Sequence, residues 1–236
     1  GGGIAKYDGA YFTVFHQKEL LTSSGLWSMA VDKTGMLWVG TTQGVFTFDG
    51  AVLTPFEIPE GKIDTTMGIS TPKMIHSIME DRKGNLWFGT NGGAYKYDGK
   101  KLRALTEKDG LPSNFVNSIM EDAQGTIWIA TTRGLSSFNG GKITDITADL
   151  LAENAGTGSI IQDKSGTIWF TSNNGRAIYS YKDKTFKKYK ITEDKNGPAT
   201  FQIYEDQHQR LWFVGFKGAY RYDALTFVNI SRNGPW

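Results

Sequence analysis

Short runs in which apolar and polar residues alternate fill most of the chain, and each is closed by Gly, Asp or Asn. Alternation puts successive side chains on opposite faces of a strand, so these runs predict half-buried β-strands. Between residues 111 and 150 the pattern predicts strands at 116–121, 126–130, 135–138 and 142–146, with tight turns at 122–125 and 139–141. Asp8-Gly9, Asp49-Gly50, Asp98-Gly99 and Asn139-Gly140 each stand between apolar runs. Such pairs predict hairpins, because both central residues of a type I′ turn need positive φ. No stretch keeps a 3.6-residue period long enough for a structural helix. The texture is all-β.

The pattern also repeats. Trp38, Trp87, Trp128, Trp169 and Trp212 are spaced by 49, 41, 41 and 43 residues. Six places before each stands an aspartate: Asp32, Asp81, Asp122, Asp163 and Asp206. Six places after each stands a glycine: Gly44, Gly93, Gly134, Gly175 and Gly218. Three places before come Gly35, Gly84, Gly125 and Gly166, with Gln209 the exception. Four antiparallel strands in about 42 residues is the content of one β-propeller blade. A β-sandwich has no reason to hold Trp, Asp and Gly at fixed offsets five times.

The expected fold is therefore an all-β propeller of four-stranded antiparallel blades, five complete and a sixth partial, in a single domain over residues 1–236. Residues 1–24 supply outer strands of the partial blade; 25–71, 72–110, 111–150, 151–197 and 198–236 are the complete ones. Gly3-Ile4-Ala5-Lys6-Tyr7-Asp8 aligns with Gly93-Ala94-Tyr95-Lys96-Tyr97-Asp98, and Gly234-Pro235-Trp236 with Gly25-Leu26-Trp27. A six-bladed ring lacking one inner hairpin, a swapped dimer and a fragment of a seven-bladed ring all remain open. Unpaired strand edges on the partial blade would invite self-association.

The stretch Asp109-Gly110-Leu111-Pro112-Ser113-Asn114-Phe115-Val116, with Ile119, Glu121-Asp122, Gly125 and Trp128, resembles the two-component regulator propeller repeat. So does Gly84-Asn85-Leu86-Trp87-Phe88-Gly89-Thr90 followed by Gly93 and Tyr97-Asp98-Gly99. The resemblance implies a periplasmic or extracellular sensing domain, often ahead of a membrane span and a histidine kinase. The fourth repeat departs, with Thr171-Ser172 where Gly-Thr is usual, and the fifth has Gly215-Phe216.

The recurring residues read as scaffold. One Trp per blade at a fixed offset is a wedge between blades. The Asp column sits where the first strand turns into the second, where its carboxylate accepts turn N–H groups. The glycines after Trp are expected to supply positive φ. Binding residues should be those that break the repeat. Eleven places before each Trp stand Trp27, His76, Asn117, Gly158 and Phe201; after the second strand come Gln43, Asn91, Arg133, Asn174 and Lys217. Ser28, Ser77, Ser118, Ser159 and Gln202 form a polar column beside them. Stacking faces with amide and cationic donors suit a small polar ligand or a saccharide. The long loop over residues 56–73 could fold over this rim.

Composition narrows the rest. The chain has no cysteine, which excludes disulfides, thiol catalysis and thiolate metal sites. A net charge of +2 sets up no field toward nucleic acid or a membrane surface, and Lys187, Lys188 and Lys190 are the one basic cluster. No apolar run reaches the length of a membrane span, and no signal peptide is recognisable, although the abrupt start is compatible with one having been removed. His16, His76 and His208 are the only histidines. Gly166-Thr167-Ile168-Trp169-Phe170-Thr171 resembles streptogramin-lyase propellers, which use a His with acidic and metal-binding partners; His76 would be the base. A protein-interaction scaffold is a further alternative. The expectation is a non-enzymatic binding propeller with no catalytic residues, cofactor or metal.

Overall fold

The computed structural model describes residues 4–15, 25–68, 71–148, 156–172, 177–189, 200–215, 218–223 and 226–230. By its internal contacts the chain forms two compact units, residues 1–106 with 114–116, and residues 107–113 with 117–236.

In the first unit, β1 (Ile4–Tyr7) and β2 (Phe12–Phe15) make a two-stranded sheet. Two four-stranded blades follow: β3 (Leu26–Val31), β4 (Leu37–Thr41), β5 (Gly44–Phe48) and β6 (Leu53–Phe56), then β7 (Ile75–Glu80), β8 (Leu86–Thr90), β9 (Gly93–Tyr97) and β10 (Leu102–Leu105). The second unit holds three more: β11 (Val116–Glu121) to β14 (Lys142–Asp145) through β12 (Ile127–Thr131) and β13 (Gly134–Asn139); β15 (Thr157–Gln162), β16 (Ile168–Ser172), β17 (Ile178–Lys182) and β18 (Thr185–Tyr189); and β19 (Thr200–Glu205), β20 (Leu211–Gly215), β21 (Gly218–Tyr222) and β22 (Phe227–Ile230). Every blade is an antiparallel meander in chain order, which is the expected fold class.

The second strand of each blade explains its sequence. β8 and β12 are buried at every position, so Leu-Trp-Phe-Gly-Thr and Ile-Trp-Ile-Ala-Thr read as continuous rather than alternating segments. Three of the tryptophans pack against the blade that follows: Trp38 clusters with Ile78 and Phe88, Trp128 with Ile160 and Phe170, and Trp169 with Ile203 and Phe213. The wedge reading of the tryptophans holds at these junctions.

The aspartates do more than cap a turn. In all five blades Asp Oδ2 accepts the indole N–H of its own Trp, at 2.8 Å in Asp32–Trp38, 2.9 Å in Asp81–Trp87, 2.8 Å in Asp122–Trp128, 2.7 Å in Asp163–Trp169 and 2.9 Å in Asp206–Trp212. Oδ1 meanwhile accepts backbone N–H groups two and four residues on, as at Lys83 and Asn85. The two columns are one device, in which a turn carboxylate satisfies the single polar atom of the wedge. Burial pushes the Asp81 carboxyl up, and the bonds from Trp87, Asn85 and Lys83 outweigh it, so the group stays below its ordinary value.

A second column ties neighbouring blades. Lys33 N donates to Glu80 Oε2 at 2.7 Å in the first unit; in the second, Ala123 N donates to Gln162 Oε1 at 2.6 Å and Lys164 N to Glu205 Oε2 at 3.1 Å. In each case the amide following the Asp of one blade is held by the last residue of the next blade's first strand.

Two expectations about turns need correction. The Asp-Gly pairs do not form two-residue type I′ turns. At Asp98-Gly99 only the glycine has positive φ, and Asp98 Oδ1 accepts the N–H of Lys100 and Lys101, closing a longer loop through its side chain; Asp8 and Asp49 do the same. The two-residue turn after β13 is Gly140-Gly141, both at positive φ, in place of Asn139-Gly140. Likewise Gly44, Gly93 and Gly218 have positive φ as expected, whereas Gly134 does not. Gly134 is needed for space, since a Cβ there would lie 2.6 Å from Thr147 Oγ1 and 3.2 Å from Pro112 Cγ. Gly175 lies outside the described residues.

Candidate functional site

The first strand of a blade does not alternate as a strand should. In β7, Ile75 and Ile78 are both buried although three residues apart. The ladder shows why. Ile75 pairs with Thr90 and Ser77 with Gly89, leaving His76 as an extra residue on a β-bulge. The same irregularity falls at Trp27 in β3, at Gly158-Ser159 in β15 and at Phe201 in β19. A bulge shifts the side-chain register by one and re-aims the residue it carries. The column eleven places before each Trp is therefore, at every blade where the ladder is described, a column of bulged residues.

What occupies the bulge differs from blade to blade. In the first unit Trp27 is 56% exposed, its indole Nε1 beside Gly25. Gln43 is exposed on the turn that follows β4, which Thr41 Oγ1 holds by accepting Gln43 N and donating to Gly44 O. His76 is half-buried: its ring stacks on Phe115 with centroids 4.7 Å apart, and Nε2 lies 2.6 Å from Asn91 Oδ1. Asn91 Nδ2 donates to Thr71 O at 2.7 Å, so Oδ1 must accept from His76 Nε2–H, and Nδ1 is the unprotonated nitrogen. Burial pushes the imidazole below its ordinary value, and the Asn91 bond only partly opposes this. Asn91 itself is buried.

The long loop into the second blade is pinned against this end of the sheet. Tyr95 Oη donates to Pro59 O at 2.8 Å, Asn114 Nδ2 to Lys62 O at 3.1 Å, and Asn91 to Thr71 O as above. Gly92 allows the loop to pass, since a Cβ on it would lie 2.7 Å from the Gly61 Cα. Beneath the loop is a cavity of about 80 Å³, with Gln43, Phe46, Glu60, Lys73 and Ile75 among its walls and a Lys73–Glu60 ion pair of 3.2 Å at its side. Sites that enclose a whole small molecule usually measure about 300–1,000 Å³, so this one accommodates a single protruding group.

In the second unit Phe201 is 55% exposed on its bulge and Arg133 is exposed on the turn after β12. Asn117, by contrast, is engaged: its Nδ2 donates to Thr157 O at 2.7 Å across to the next blade. Two members of the serine column are also structural, Ser28 Oγ donating to Ile75 O in the first unit and Ser159 Oγ accepting from Ile203 N in the second. Asn174 and Lys217 lie outside the described residues. Among the described residues no three His, Asp, Glu or Cys side chains converge as a metal site would require. Sequence reasoning missed the Lys73–Glu60 pair and the cavity, and only the unusual length of the preceding loop pointed to them.

Two segments, residues 70–92 and 110–133, match the model of the two-component regulator propeller repeat. The chain carries two-component regulator propeller repeats. Both matched segments run from a first strand through its Asp–Trp hairpin. No curated protein sequence matches the chain. Among solved structures, the propeller is similar to an inactive variant of virginiamycin B lyase from Staphylococcus aureus determined with quinupristin, at TM-score 0.71 and 18% identity over 92% of this chain and 73% of that one. It is also similar to the extracellular domains of two hybrid two-component systems from B. thetaiotaomicron, at TM-scores 0.66 and 0.61 and identities of 23% and 18%. These alignments cover 88% and 91% of this chain but only 30% and 34% of theirs. At such identities the likeness is one of fold, and the fold is the β-propeller. Among the described residues no helix is long and apolar enough to cross a membrane.

Proposed function

We propose that this propeller is a non-catalytic, ligand-sensing domain working in the periplasm or outside the cell, and that it binds a small polar ligand, a saccharide in our reading, at the bulged ends of its inner strands. The observation that carries this is the bulge column: the ladder repeats, and the residue thrust out of it does not. In the first unit the exposed Trp27 face and the Gln43 amide stand at one end of the first blade. Beside Gln43, the Lys73–Glu60 pair flanks a cavity sized for one hydroxymethyl or acidic substituent. An apolar ring face with polar groups around its edge is the chemistry that a pyranose presents to a protein. The match to sensor-type repeats and the extracellular neighbours support the sensing role.

The lyase neighbours raise an enzymatic reading, for which His76 is the available base. Its surroundings argue against it: the described partners of the imidazole are an amide and a phenyl ring, neither of which can pass on a proton. Calorimetric titration with a panel of acidic and neutral oligosaccharides tests the proposal. A binder should lose roughly tenfold in affinity on Trp27→Ala and on Gln43→Ala; affinity unchanged in both variants would discard this site.

A further inference from the structure

Inner strands in this fold have a face that the preceding blade covers. Ile78 is 8% exposed under Trp38 in the first unit; Ile160 and Ile203, each 4% exposed, lie under Trp128 and Trp169 in the second. The first blade differs. Its equivalent residue, Met29, is 59% exposed, and Val31 beyond it is 64% exposed. The outer half of the same sheet is covered, because β1 and β2 lay Ile4 and Phe15 against Val39, Phe46, Phe48 and Leu53. The uncovered stripe continues that interface inward. Among the described residues β1 pairs only with β2, and no described strand lies along its other edge, where backbone donors and acceptors can take a further strand.

We propose that this face receives a separate β-hairpin of the repeat's own inner type, carrying the Asp–Trp pair, whose second strand adds antiparallel to β1 and whose indole lies on Met29. The register follows from the repeat. Lys6 occupies the position of Lys96, which pairs with Trp87 and holds its ammonium 5.6 Å from that ring's centroid. The incoming Trp therefore stands opposite Lys6. A second intact copy does not supply such a hairpin, since β4, β8, β12, β16 and β20 each already pair on both edges. Val31 marks this junction apart. It stands where Glu80, Gln162 and Glu205 accept the amide after the preceding Asp, so the docked hairpin lacks that bond.

The test is fluorescence anisotropy of a labelled synthetic peptide with the sequence of residues 73–92, titrated with the whole chain. The expected result is saturable one-to-one binding that weakens at least roughly tenfold on Met29→Glu and on Trp→Ala within the peptide. Val31→Glu restores the missing acceptor and should tighten binding about threefold to tenfold. Met29 and Val31 are exposed, so circular dichroism should show both variants folded. No binding up to about 1 mM peptide, or binding indifferent to Met29→Glu, overturns the assignment. Sedimentation should find the chain alone monomeric; a dimer that Met29→Glu dissolves would give the face to a second copy and overturn it equally.

Discussion

Truncating Asp81 to alanine tests whether the Asp–Trp pair is the unit that holds a blade together. The carboxylate accepts from Lys83 N, from Asn85 N and Nδ2, and from Trp87 Nε1. In the variant, water can reach the Lys83 amide, whereas Trp87 is 1% exposed and Asn85 8%. Three donors, Trp87 Nε1 and the Asn85 backbone and side-chain amides, are thus stranded away from solvent, each costing about 1–3 kcal/mol, while the relief of a partly buried charge returns some of it. The expected net loss is about 3–4 kcal/mol. The structure also orders the copies: Asp206 serves the half-buried Trp212, so Asp206→Ala should cost clearly less. Urea titration followed by circular dichroism measures both, with hydrogen exchange of the second-blade amides to localise the loss, since repeat chains need not unfold in one step. Wild-type stability should also fall as pH drops below 3.8 toward the depressed folded value of Asp81, and Asp81→Ala should remove part of that acid limb. A loss under about 1 kcal/mol, or equal losses at the two aspartates, would refute the reasoning.

Two further outcomes follow from single positions. Gln209 holds φ at +61° where the other repeats have glycine at +80° to +88°, so Gln209→Gly should stabilise the fifth blade by about 1 kcal/mol, read as a higher melting temperature; a lower one would show that the side chain matters more than the backbone. Burial keeps the folded His76 imidazole below the ordinary 6.5, so stability is fully present above pH 6.5 and declines as pH falls through the folded value; His76→Gln should flatten the urea midpoint between pH 7 and 5.

The strands and their order were legible because alternating runs and punctuating turns are local signals. Five tryptophans at nearly constant spacing declared the blade because every junction repeats one geometry. What the columns could not show is which atoms meet. Asp at six places before Trp is visible as a pattern, but that one carboxylate oxygen serves the turn and the other the indole depends on how the strand pair curls. The bulge was hidden for a similar reason: Trp27, His76, Gly158 and Phe201 align by their offset from Trp, but that they stand out of the ladder shows only in the strand pairing. Asn117 broke the repeat without being free to bind, because its amide was already spent on the next strand. Asn91 looked like a surface donor and proved a buried brace for His76 and the loop.

The bulges have a consequence for how such a surface can change. A residue left out of the ladder can be exchanged without disturbing a single strand-to-strand hydrogen bond, so indole, imidazole and phenyl groups have been installed at equivalent places on an unaltered frame. At Trp27 and Phe201, where the bulged side chain is exposed, such exchanges should leave the melting behaviour untouched, so the character of this surface can be rewritten one blade at a time.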